Sequence, residues 1–256
     1  MATMVERLGA FGAYTGKVVL PVVLGSLIFG GILAKYNNEM TLNKTILESA
    51  YQPMREQSRE CFRLHAQLEE RLSSYRGLID EIRGLIDHDT KPPPEVLKNP
   101  GDAAFPGPGR IVAMQQAWRD SEDCYFVFAG YLGDLSIMLG EDAAGLEPLI
   151  YQHNRRLAST TPRKDQVFRR LHELDLGQVF GEMWQSSPHQ VTTMKPKWGH
   201  GLRIASDSLG ELIDMAKMEI HEYIEYSDQG TAITAEAMKR RFRASPFDFI
   251  QALKVL

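Results

Sequence analysis

The sequence predicts an all-α protein. One N-terminal transmembrane helix is followed by a long amphipathic helix and a helical extra-membrane domain with a Pro-rich extended strap. Three observations carry that prediction. Residues 18–34, between Lys17 and Lys35, hold 17 consecutive positions without a charge. From residue 61 a stripe recurs in steps of four and three, the period of helix seams that pack lengthwise. Neither strand–helix alternation nor an internal repeat is visible.

The elements follow in order. Residues 1–17, "MATMVERLGAFGAYTGK", are long for the basic leader of an export signal and include Glu6, so the apolar stretch after them reads as a retained span, 18–35. A 17-residue helix rises about 26 Å, close to the roughly 30 Å hydrocarbon layer. Lys17 and Lys35 can extend their ammonium groups to the two interfaces, with Tyr14 and Tyr36 beside them. Ser26, Gly30 and Ala34 recur every four residues, the spacing of small residues that lets a neighbouring helix approach closely in lipid. Orientation is not readable, because Arg7 and Lys17 on one side balance Lys35 and Lys44 on the other.

Residues 36–88 read as an amphipathic helical stalk. Its stripe is Cys61, His65, Leu68, Leu72, Tyr75, Ile79, Ile82 and Ile86, with mixed charges between. The helix is expected to close near Asp87 and to pack on the body or on a partner. Six prolines and three glycines over 88–110 exclude helix and sheet, so 89–110 is a linker or a strap lying on another subunit. The helical domain, 111–256, is expected to open with a helix pair over 111–139. Thr161–Pro162 reads as a helix start and Gly177 as a bend. Residues 186–201 read as irregular, Leu202 to Tyr223 as a strong amphipathic helix, and Gly230 as its break. Two short helices then close the chain, the last opened by Ser245–Pro246.

Chemistry is harder to find. A net charge of −4 argues against nucleic acid as the main partner, and mean hydropathy of −0.27 suits one span carrying a larger polar body. Cys61 and Cys124 allow one bridge, but free buried thiols are the expected state. No CxxC, GxSxG or phosphate-loop pattern occurs, and Gly107 and Gly109 read as loop punctuation. His221 and Glu225 lie one turn apart on a solvated helix face. No catalytic, metal or cofactor residue is assigned. The basic cluster Lys239, Arg240, Arg241 and Arg243 stands out in an acidic chain, and is a candidate contact for anionic lipid or an acidic partner.

The stretch "GKVVLPVVLGSLIFGGILAKYNNEMTLNK", 16–44, resembles the single-span N-terminal segments of supernumerary subunits in mitochondrial respiratory-chain complexes. There too, a short polar leader, an apolar stretch flanked by Lys and a charged helix follow one another. The resemblance implies an inner-membrane location, a structural or assembly role and no catalytic residues; the large body departs from the pattern. The expected function is therefore a non-catalytic accessory subunit of a membrane complex, of the respiratory-chain or ATP synthase kind. Its partners would be other subunits, met through the span and through the amphipathic helix 61–86. Two alternatives stand beside it. One is a bacterial membrane-anchored helical scaffold or sensor; the other is a membrane-tethered enzyme whose site is assembled from dispersed residues such as His172, His200 and His221.

Overall fold

A computed structural model describes residues 20–97 and 107–242. In chain order the elements are α1 (Leu20–Ile46), a π turn (Leu47–Tyr51), α2 (Gln52–Asp87) and the single-turn α3 (Pro94–Leu97). They continue with α4 (Pro108–Leu139), a 3-10 turn (Gly140–Ala143), α5 (Leu146–Glu173), α6 (Leu176–Gln185) and α7 (Gln190–Phe242). No strand occurs among the described residues, and the class is all-α.

α2, α4, α5 and α7 form an up-down-up-down four-helix bundle, each packing on its two neighbours. Two core clusters fix the directions. One joins Met54 and Cys61 of α2 to Phe128–Leu139 of α4, Leu146 of α5 and Tyr223–Met238 of α7. The other joins Leu68–Ile86 of α2 to Ile111–Trp118 of α4, Val167–Leu171 of α5 and Val191–Ala216 of α7. The start of α2 thus meets the end of α4 and of α7.

The stripe on α2 is realised in full, since all eight of its residues are buried. Burying each Leu or Ile contributes about 1.5–3 kcal/mol, which is why this face turns to the body. The helix ends where sequence periodicity puts it, at Asp87. Asp89 takes a left-handed conformation (φ 57°), and the Thr90 N–H reaches back to the Leu85 carbonyl at 2.8 Å, closing the exposed carbonyls of the last turn.

Several boundaries differ from the sequence reading, each because packing overrides a local breaker. The strap does not leave the body over its described part: Pro92 and Leu97 are buried, and the Lys91 ammonium donates to the Trp184 and Ser186 carbonyls at the end of α6. The helix pair over 111–139 is one helix, α4, entered through Pro108. Thr161–Pro162 lies inside α5, not at its start, and both the Thr160 and Thr161 hydroxyls donate to the Leu157 carbonyl at 3.0 Å. The bend near Gly177 falls instead at Asp175, left-handed at φ 41°, whose carboxylate accepts from the Gln178 N–H. Residues 190–201 are helical because Val191 and Trp198 are drawn into the core. α7 also runs through Gly230, where a Cβ would sit 2.9 Å from Leu132 Cδ1; the glycine serves close packing. The Ser245–Pro246 start lies outside the described residues.

Among the described residues no helix is long and apolar enough to cross a membrane. The 18–35 stretch is described from Leu20 onward, as the first part of α1. The span is therefore an expectation from sequence that the described helix does not carry by itself. α1 runs on directly into the π turn at its root, and Phe29 and Leu33 are 75% and 62% exposed.

Candidate functional site

The small-residue face is helical and exposed: Ser26, Gly30 and Ala34 all lie on α1, with no atom within 4 Å of a Cβ built at Gly30. At the other end of the chain, Lys239, Arg240 and Arg241 form the last turn of α7, while Arg243 lies outside the described residues. The Arg240 guanidinium donates to the Asp142 carbonyl at 3.3 Å and that of Arg241 to the Met138 carbonyl at 3.1 Å. Lys239 pairs with Glu236 at 4.0 Å. Cations thus cover the carbonyl end of α4, where the helix dipole is negative. The π turn at the root of α1 packs on α4 too, in the same core cluster as Leu139. The two predicted surface features therefore share one end of the bundle.

The dispersed histidines do not converge. His172, His200 and His221 are exposed, and His221 pairs with Glu225 at 3.4 Å. Among the described residues no group of three or more His, Cys, Asp or Glu is placed to hold a metal ion.

What the sequence reading missed is a buried polar cluster contributed by all four bundle helices. His65 Nδ1 (α2) lies 2.8 Å from the Tyr125 hydroxyl (α4). Tyr125 stacks on Tyr223 (α7) at 4.3 Å, and His153 (α5) stacks on Tyr226 (α7) at 3.9 Å with rings nearly parallel. Farther along the bundle, the Glu219 carboxylate (α7) accepts from Trp118 Nε1 at 3.0 Å, Thr160 Oγ1 at 3.2 Å and Lys164 Nζ at 3.0 Å. Lys164 also donates to Glu122 and lies 5.1 Å from the centre of the Trp118 ring.

Burial sets the electrostatics. Loss of solvent pushes the His153 imidazole down to about 4, with the Arg156 charge adding to it, so this ring is neutral. His65 shifts down for the same reason, opposed by the Glu69 charge. Burial raises the Glu219 carboxyl, and the Lys164 ammonium works against that rise. Tyr223 is pushed up to about 12, and Tyr125 and Tyr226 also move up, all by burial. Among the described residues, His153 Nε2 and the Tyr226 hydroxyl have no hydrogen-bond partner. Both residues line a shallow cleft of about 110 Å³ rimmed by Gln152, Arg156, Glu222 and Glu225.

Cys61 and Cys124 are joined by a disulfide beside this cluster, with Cα atoms 5.4 Å apart. This corrects the expectation of free thiols. Seam positions on two antiparallel helices put the pair within bonding reach, a juxtaposition that spacing along the chain does not reveal. The cluster offers two carboxylates, an amine and two imidazoles; its ion pairs are satisfied around Lys164, whereas the His153 and Tyr226 end keeps unpartnered polar atoms facing the cleft. No protein-family model, curated protein or solved structure matches the chain.

Proposed function

We propose that the protein is a non-catalytic accessory subunit of a membrane complex, anchored by residues 18–35 and carrying a disulfide-bonded four-helix body. The observation that carries this reading is α1, an apolar helix that stands off the body with Phe29 and Leu33 exposed. Apolar side chains at that density are stable only against lipid or a partner. Val18 and Val19, outside the described residues, complete the uncharged stretch in the sequence. The basic last turn of α7 at the same end of the bundle fits an anionic headgroup layer. The resemblance of 16–44 to supernumerary respiratory-chain subunits supports a mitochondrial inner-membrane complex as the setting. The Cys61–Cys124 bond supports a body on the oxidising side of that membrane, because reducing compartments keep such pairs open.

The test uses native membranes. The full-length protein is expected to stay with the membrane through an alkaline carbonate wash and to co-migrate with a large assembly in mild detergent. Gly30→Leu, which fills the open side of α1, is expected to reduce that co-migration. Release into the carbonate supernatant overturns the anchor, and migration as an isolated chain overturns the subunit reading.

A further inference from the structure

The cleft between α5 and α7 has polar atoms for a floor and charges for walls. His153 and Tyr226 are only 4% and 3% exposed, yet among the described residues His153 Nε2 and the Tyr226 hydroxyl lack a partner. Orphaned buried polar atoms are destabilising and rare, so two in one floor point to something that satisfies them. Gln152, Arg156 and Glu225 on the rim are exposed, and rotation of their side chains opens the way to the floor.

The walls follow from helix spacing. Gln152 and Arg156 lie four apart on α5, and Glu222 and Glu225 three apart on α7, so each pair stands on one side of its helix. The two helices run antiparallel, since His153 meets Tyr226 and Thr160 meets Glu219. One turn on from His153, Arg156 therefore comes level with Glu222, one turn back from Tyr226. Among the described residues no ion pair joins Arg156 to Glu222 or Glu225, and Glu225 holds the exposed His221 instead, at 3.4 Å. Opposite charges face each other across the cleft without meeting.

Size narrows the ligand. The cleft measures about 110 Å³, room for about four water molecules and well below the roughly 300 Å³ at which pockets for drug-sized molecules begin. Among the described residues no three metal-ligating side chains are placed to hold an ion. The occupant that matches is small and carries both charges.

We propose that this cleft binds a small free α-amino acid, with glycine as its minimal ligand. The carboxylate accepts from the Arg156 guanidinium, the Tyr226 hydroxyl and His153 Nε2, and the ammonium donates to Glu222 and Glu225. The His153 ring is neutral, so its single proton is free to sit on Nε2. A side chain larger than that of glycine points out through the mouth. This inference rests on the cleft and not on the membrane anchor.

The experiment titrates glycine into the full-length protein held in lipid nanodiscs and follows saturation transfer to the glycine methylene signal by NMR. Saturable binding is expected at about millimolar concentration, as suits so few ligand atoms. Acetate, which lacks the ammonium, and glycinamide, which lacks the carboxylate, are each expected to bind about tenfold more weakly. Arg156→Gln and, separately, Tyr226→Phe are expected to weaken glycine binding about tenfold, while Arg155→Gln, outside the cleft, leaves it unchanged. Arg156 is exposed, and Tyr226→Phe keeps the ring stacked on His153, so both variants retain the bundle. A glycine signal that does not saturate overturns the proposal, as does acetate or glycinamide binding as well as glycine. Unchanged affinity in either cleft variant, or an equal loss in Arg155→Gln, also overturns it.

Discussion

Replacing both cysteines, Cys61→Ala with Cys124→Ala, is the sharpest perturbation of the body. The bond closes a loop of 63 residues between neighbouring antiparallel helices. Confining a loop of that length removes chain entropy from the unfolded state worth about 4 kcal/mol. Both side chains are buried, so truncation adds a small cavity penalty in the same direction. For a body of roughly 200 residues this corresponds to a fall in Tm of about 10 °C. The assay is thermal unfolding followed by far-ultraviolet circular dichroism, in the same lipid particles, for oxidised wild type, reduced wild type and the double variant. Reduced wild type is expected well below the oxidised protein, with the double variant slightly lower still because of its added cavity. A double variant melting within about one degree of oxidised wild type would refute the loop argument. Alkylation of both thiols in the unreduced, denatured protein would show that the bond is absent.

Two further predictions concern the polar cluster. Lys164→Met leaves Glu219 and Glu122 without their shared cation and is expected to cost about 3–5 kcal/mol, read as a lower urea midpoint. Adding Glu219→Met should recover most of that loss, and a double variant as unstable as the single one would argue that the charges are not coupled. His153 has a folded-state pKa of about 4, below its ordinary 6.5, so its contribution is fully present above about pH 6.5 and is lost as pH falls toward 4. The loss is about 3 kcal/mol. Glu219, raised in the folded state, acts with the opposite sign, because protonation relieves its burial as pH falls. In a urea series across that range, His153→Phe should flatten the slope while keeping the stack on Tyr226; an unchanged slope would assign the titration elsewhere.

Much of the fold is legible from periodicity alone. The stripe from Cys61 to Ile86 predicted a buried face residue by residue, because an amphipathic helix has only one way to hide it. Local punctuation misled where tertiary packing had the larger stake. Thr161–Pro162 and Gly230 read as boundaries and Pro196 falls in a stretch read as irregular, yet each lies inside a helix, because the aliphatic and aromatic residues on either side are in the core. The few kcal/mol lost at a proline is smaller than what burying Val191, Trp198 and Leu202 returns.

The buried cluster was illegible for a different reason: its members come from four helices, and no two of its ion-pair partners share one. A signal was nevertheless present. On α7 the seam runs Leu212, Ala216, Glu219, Tyr223 and Tyr226 in steps of four and three, with an acid where an apolar residue belongs. On α5, Lys164 stands in the same way among His153, Leu157, Phe168 and Leu171. Opposite charges in the seams of two predicted helices are the pattern to expect when those helices are neighbours, and α5 and α7 are.

That placement also says what the network is for. Lys164, Glu122 and Glu219 would be no less stable, as a group, if replaced by apolar residues of similar volume, so stability is a poor reason for them. Register is a better one. Slipping α5 by one turn against α4 and α7 would separate Lys164 from both carboxylates and leave two buried charges, Lys164 and Glu219, and the partly buried Glu122 unpaired. The disulfide fixes α2 against α4, and the ion network fixes α5 against α4 and α7. The bundle is thereby held in a single alignment. Under the proposed function, a body that holds an anchor and a partner surface in fixed relation needs that alignment more than it needs extra stability.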